Sequence, residues 1–206
     1  MEAESGMAMG TGTAMENIRK ATVNDLSRIA EILVFVKRIK YRPIFRNDAY
    51  SFGELQVLSV AEEYSASSIL DHIWVYDDGI VKGMIHIEDR EIRELYVDYF
   101  FQEQGVGTEL IAFAIRKFYV TFLWALEKNT DAIRFYERHG FFRTDTRKLE
   151  EGTTEFLILL SREPEESVKD SGGAEKQTPG ICGSPLSLTI DWYVRRSAQR
   201  GIKYGE

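Results

Sequence analysis

The chain has 206 residues, 44% hydrophobic and 12% aromatic, which suits one well-buried domain with a short appendage. Its 26 Lys and Arg against 33 Asp and Glu leave a formal charge of −7, which argues against nucleic-acid binding and accords with a cationic acceptor. One cysteine, Cys182, rules out an intramolecular disulfide, and His72, His86 and His139 lack metal-ligand spacing, so no metal is expected. No apolar run reaches membrane-spanning length and the first residues do not read as a signal peptide, so a cytoplasmic location without membrane association is expected.

Residues 1–15 read as a flexible tail. Residues 17–21 alternate as a short strand, after which Thr22 and Asp25 have the spacing of a capping box. Leu26, Ile29, Ile32, Leu33 and Val36 continue one apolar helical face. Pro43 predicts an irregular break, and a second helix is expected within 53–68, with Leu55, Leu58, Val60 and Ala61 available to pack. Residues 73–76 and 80–87 read as strands joined by Asp77-Asp78-Gly79, a hairpin signal, and 91–97 completes a meander. The apolar run 121–127 reads as a buried strand, reached through a helical crossover and therefore parallel to its neighbour. A short helix over 129–139 is closed by Gly140, and 141–144 with 154–160 form a final antiparallel pair across Glu150-Glu151-Gly152. The domain is thus placed at 16–162. Beyond it, 163–206 is rich in Ser, Gly, Pro and Glu and reads as a disordered extension, its basic stretch from Arg195 to Lys203 included.

Between the strand 91–97 and the helix after it lies Gln102-Glu103-Gln104-Gly105-Val106-Gly107. A strand, a two-glycine turn and a helix make an anion site, because the first N–H groups of a helix lack internal partners and its dipole favours negative charge there. The blander reading is a turn that only joins two elements. Spacing sets aside two better-known loops: a dinucleotide fingerprint needs a small residue where Leu110 stands, and a P-loop needs a lysine after its last glycine. What remains, Q/R-x-x-G-x-G/A, resembles the pyrophosphate loop of the GNAT superfamily of acyl-CoA-dependent N-acyltransferases. A second stretch, Asn129-x-x-Ala132-x-x-Phe135-Tyr136-x-x-x-Gly140-Phe141, is similar to a further motif of that superfamily and follows at the right distance.

The resemblance implies an α+β fold, a central mixed sheet of six or seven strands flanked by about four helices. It implies acetyl-CoA as acyl donor, without a metal, and transfer to a primary amine of a small molecule, amino acid or peptide by direct attack on the thioester. The alternative is a catalytically decayed acyl-CoA-binding or sensor protein. Carried over residue by residue, the backbone N–H groups of Gln104, Gly105, Val106, Gly107 and Thr108 would receive the pyrophosphate, with Gln102 shaping the start of the loop, and Leu95, Tyr96 and Val97 would pair with pantetheine. Asn129, Ala132 and Phe135 would complete the cofactor site. Gln102 and Glu103 depart from the arginine and glycine frequent in the loop. The N–H of Val97 is the expected oxyanion donor and Tyr136 the expected acid for the leaving thiolate. Glu94 is the first candidate base, with Glu127 and His86 behind it. Tyr41, Arg42 and Phe45, in a basic and aromatic stretch, are the expected acceptor-binding residues and fit an acceptor bearing a carboxylate. A monomer or homodimer is expected.

Overall fold

The computed structural model describes residues 16–163; the expected tail, and all but the first residue of the expected extension, Cys182 included, lie outside them. Seven strands form one sheet: β1 (Ile18–Lys20), β2 (Ile73–Asp77), β3 (Val81–Glu88), β4 (Glu91–Val97), β5 (Phe122–Leu126), β6 (Phe142–Leu149) and β7 (Phe156–Ser161). Their order is β1-β2-β3-β4-β5-β7-β6. Every neighbouring pair is antiparallel except β4 and β5, which run parallel as the helical crossover requires. The helices are α1 (Leu26–Lys40), α2 (Arg42–Phe45), α3 (Val57–Tyr64), α4 (Ser67–Leu70), α5 (Val106–Phe118) and α6 (Thr130–Arg138). The mixed α+β architecture expected from the sequence is the one observed.

Strand alternation explains how the sheet carries two cores. On β3, Ile85 packs with Leu110, Ile111 and Ala114 of α5, together with Leu123 and Ile133. Its neighbour Met84 points the other way, into Ile29, Leu33 and Val36 of α1, Val60 and Tyr64 of α3, and Tyr96. Gly83 precedes them, and a Cβ there would lie 3.0 Å from the Tyr96 carbonyl oxygen and 3.1 Å from Leu110 and Val106 side chains. The missing side chain lets α5 lie close against β3.

The polar start of α1 is tied down by charge. Thr22 donates from its N–H and its hydroxyl to Asp25, each at 2.8 Å, and Arg19 reaches both Asp25 and Asp77. The cap expected from Thr22 and Asp25 therefore exists, opening on a 3₁₀ turn at Val23–Asp25.

Three expectations need correction. Pro43 does not break the chain: it sits in the first turn of α2, where its missing N–H is not needed, and a π-helical turn follows at Ala49–Glu54. Leu58 does not pack; it is 85% exposed. β6 runs to Leu149 rather than 144, as a mostly exposed edge strand whose polar residues carry no apolar alternation.

Candidate active site

The sheet comes apart at the one parallel junction among the described strands. β4 and β5 are paired at Glu91 with Phe122 and Ile92 with Leu123, and not beyond. From Arg93 onward the two strands separate and leave a cleft of about 760 Å³. Leu95, Tyr96 and Val97 line one wall, and Trp124, Ala125 and Leu126 the other. At the opening β4 carries a bulge: His86 pairs with Glu94 but Ile87 pairs with Ile92, so Arg93 is the extra residue. The bulge reverses the faces. Ile92, Leu95 and Val97 pack toward α5, while Tyr96 packs with the α1 core.

The head of α5 closes one end of the cleft. Gly105 caps the helix at φ +88, a left-handed conformation costly for any residue with a Cβ. Glu103 adopts φ +62 and is exposed, its carboxylate at the rim. Gln102 donates to the Val97 carbonyl at 3.2 Å and Gln104 to the Phe100 carbonyl at 3.1 Å, so both side chains shape the loop rather than point outward from it. At Gly107 a Cβ would meet the Phe135 ring at 3.3 Å, which brings α6 against the loop. His139 completes that junction, its Nδ1 2.7 Å from the Phe135 carbonyl and its Nε2 3.3 Å from the Thr108 hydroxyl.

α6 supplies the remaining wall. Asn129 caps it, accepting from the Ala132 N–H at 3.4 Å, and both residues line the cleft with Phe135 and Tyr136. Tyr136 is buried. That burial, with Tyr41 and Glu94 nearby, pushes its hydroxyl pKa up, so it is held as a protonated donor. Arg134 and Arg138 of the same helix add positive charge at the mouth.

Two buried carboxylates also line the cleft. Glu94 is 5% exposed, 3.5 Å from Lys37 Nζ, and accepts a short hydrogen bond from the Tyr64 hydroxyl. His86 Nδ1 lies 3.9 Å away, beyond hydrogen-bond reach. Burial alone would raise the Glu94 pKa, but Lys37 foremost among its neighbours brings it down to about 2. Such a carboxylate is ionised at every ordinary pH and has little affinity for a proton. Glu150 is 1% exposed, and neither carboxyl oxygen has a hydrogen-bond partner. Burial raises its pKa to about 7, with Lys37 and Lys148 only partly opposing the rise.

Two of the expected acceptor residues stand back from the cleft. Tyr41 lines it, its hydroxyl 3.4 Å from that of Tyr96. Phe45 packs edge-on between Tyr41 and Tyr50. Arg42 pairs with Asp48 at 2.7 Å and stacks over Phe52, outside the cleft lining. Lys40 reaches the lining but pairs with Asp131 at 3.3 Å. The basic cluster is thus divided among neighbours. Glu127 is exposed and His86 fully buried, and neither is part of the lining. Sequence reasoning overlooked Glu150, Lys37 and Tyr64, whose importance comes from long-range packing that no local signal marks.

Comparison with known proteins agrees with this geometry. Residues 70–142, which carry β2 through the start of β6, match the family model for the acetyltransferase (GNAT) domain. The fold is that of the GNAT acetyltransferases. Among solved structures, apo YjaB from Escherichia coli is similar at a TM-score of 0.56 and 19% identity, over 70% of this chain and 95% of that one. An N-acetyltransferase from Staphylococcus aureus Mu50 is similar at 0.55 and 15% identity, over 69% of this chain and 98% of that one. yncA from Salmonella typhimurium, solved with its cofactor acetyl-CoA, gives 0.50 and 18% identity over 76% and 98%. No curated protein sequence matches. The matched segment of the GNAT domain contains the bulged strand, the glycine loop and all of α6. No helix among the described residues is long and apolar enough to cross a membrane, and no group of three or more His, Cys, Asp or Glu among them is placed to hold a metal.

Proposed function

We propose that the protein is an acetyl-CoA-dependent N-acetyltransferase acting on a primary amine. The observation that carries this reading is the cleft between β4 and β5, with a helix head at one end and the Tyr136 hydroxyl buried in its wall. The solved relative with acetyl-CoA as its cofactor supports the choice of donor.

In this reading the N-terminus of α5, opened by Gly105 and Gly107, receives the pyrophosphate on its unpaired N–H groups. Backbone donors suffice there, so exposed Glu103 does not prevent binding. Arg134 and Arg138 offer the phosphates further positive charge. Pantetheine lies extended along Leu95, Tyr96 and Val97, where β4 has no strand partner on the β5 side, and adds itself to the sheet edge. The side-chain NH₂ of Asn129, left over from its capping oxygen, is available to donate to the same arm, and Ala132 and Phe135 pack against it.

The chemistry follows from the groups at hand. The neutral amine attacks the thioester carbonyl carbon, forming the C–N bond, and the oxyanion is met by the Val97 N–H. As the C–S bond breaks, Tyr136 gives its proton to the sulfur and recovers one from the nitrogen. Its raised pKa keeps that proton available through the neutral range.

The test is acyl transfer by the full chain. Release of free CoA thiol from acetyl-CoA is expected in the presence of primary amines and is expected to fall about 10²–10⁴-fold in Tyr136→Phe. If acetyl-CoA binds yet no amine of a broad panel releases thiol above the hydrolysis background, the protein is a CoA-binding or sensor module instead.

A further inference from the structure

Resting on the transferase reading above, we infer that Glu150 is the acceptor subsite and the general base: it receives the substrate ammonium and takes its proton. The acceptor class is then a cationic primary amine, with no carboxylate required for recognition.

The geometry leads there step by step. Glu150 follows directly on β6 and opens the turn to β7, and its backbone is fully engaged. Its N–H donates to the Glu155 carbonyl at 2.7 Å, and its carbonyl accepts from the Thr153 N–H at 3.1 Å and the Thr153 hydroxyl at 2.8 Å. The backbone is therefore fixed, and the side chain is held in the cleft wall with Tyr41, Tyr96 and Tyr136. A buried carboxylate with neither oxygen hydrogen-bonded is expensive for a fold to keep. An incoming ammonium, with three N–H donors, is the ligand that supplies both the missing bonds and the missing charge.

The groups that face Glu150 do not substitute for that ligand. Lys37 of α1 is committed to Glu94 at 3.5 Å. Lys148 and Glu151 belong to its own hairpin and bring opposing charges. Tyr41, partly buried, and Tyr50, buried, come from the segment between α1 and α3; desolvation raises the pKa of both phenols, so they stay neutral. Burial remains the main influence on Glu150, and the attraction of Lys37 and then Lys148 offsets it only in part. A carboxyl titrating near 7 is half ionised at neutral pH and well matched to accept a proton from an ammonium.

The step balances. Glu150 takes one proton from the ammonium, leaving a lone pair on nitrogen for attack on the acetyl carbon. Tyr136 protonates the departing sulfur and is restored by the second nitrogen proton. Glu150 then returns its proton to solvent, so each turnover converts ammonium and acetyl-CoA into amide, CoA and one proton.

Two measurements on the full chain test this. In protein labelled with ¹³C at the glutamate carboxyls, the Glu150 signal is assigned by its loss in Glu150→Gln. Saturating butylamine or tyramine should lower its titration midpoint by about one unit or more, while butanol leaves it unchanged. An unmoved midpoint with all amines overturns the proposal, and this holds whether or not acetyl-CoA binds. In steady-state assays Glu150→Gln should lower kcat/KM for the amine by about 10²-fold or more. It should also remove the limb that rises through about pH 7 in the wild type, leaving KM for acetyl-CoA within about twofold. Glu150→Asp should keep the limb at reduced rate. Unchanged kinetics in a folded Glu150→Gln protein would equally overturn it. Failure of the transferase reading itself would look different: no amine of the panel would release thiol from acetyl-CoA in the wild type, whether or not acetyl-CoA binds.

Discussion

Glu94 and Glu150 are the same residue type, buried to almost the same degree in walls of one cleft, yet their protons behave in opposite ways. On the β4 wall, Glu94 has Lys37 at 3.5 Å and the Tyr64 hydroxyl, and its pKa falls to about 2. On the β6–β7 wall, the Glu150 carboxyl has no hydrogen-bond partner and its pKa rises to about 7. Burial raises both, so the difference is made by the partner. A paired buried carboxylate is structure; an unpaired one is a site waiting for a cation. In the proposal above, the same contrast places the base on a turn residue in preference to Glu94, the strand residue favoured by the sequence.

The largest expected effect comes from breaking the paired member. Lys37→Met leaves Glu94 charged, buried and alone, and is expected to destabilise the fold by about 3–5 kcal/mol in urea denaturation. Lys37→Met with Glu94→Gln should recover most of that loss, because both charges are then gone. Glu94→Gln assayed for transfer sharpens the contrast: a rate within about tenfold of wild type fits a structural carboxylate, and loss of the pH limb would return the base to Glu94.

Removing the unpaired member should do the reverse to stability. Glu150→Gln is expected to stabilise the protein by about 1–3 kcal/mol at pH 8, since the folded state no longer buries a bare charge. The gain should shrink toward zero as pH falls below about 4.5, where Glu150 becomes protonated in folded and unfolded chains alike. The signs of the two linkages are opposite. Glu94, with its folded pKa depressed, contributes stability that is present above about pH 4.5 and lost as pH falls toward about 2. Glu150, with its folded pKa raised, makes the protein less stable as pH rises from about 4.5 through about 7. Thermal melting across pH should therefore show wild-type stability declining on both sides of about pH 5 from these two groups, and only the alkaline decline softened in Glu150→Gln. A smaller effect is expected at the cleft end: Gly107→Ala crowds the Phe135 ring at 3.3 Å and should cost about 1 kcal/mol while weakening CoA binding.

The sequence made much of the fold legible where local patterns were strong. β4 was bounded correctly because turn signals flank an alternating run, and α6 because Asn129 and Gly140 mark its ends. α2 and the π-helical turn were not legible, since Pro43 reads as a stop and a π turn has no familiar period. β6 is a polar edge with a shifted register between Arg143 and Arg147, so no apolar alternation announced it. The loop and α6 residues of the cleft were found through their motifs. Glu94 was placed on the right strand, but the bulge at Arg93 that sets its face depends on pairing with β3. Glu150 was hidden most deeply. Beside Glu151 and Gly152 it looks like a solvated turn residue, and the groups it interacts with electrostatically, Lys37, Tyr41 and Tyr50, lie roughly a hundred positions away.

The measurement that tests the central claim most directly is thermal melting of the full chain with and without acetyl-CoA. With acetyl-CoA at about a hundred times its dissociation constant, the cleft between β4 and β5 predicts stabilisation of about 2.7 kcal/mol and a clear rise in Tm. A Tm that does not move at any acetyl-CoA concentration would contradict the account.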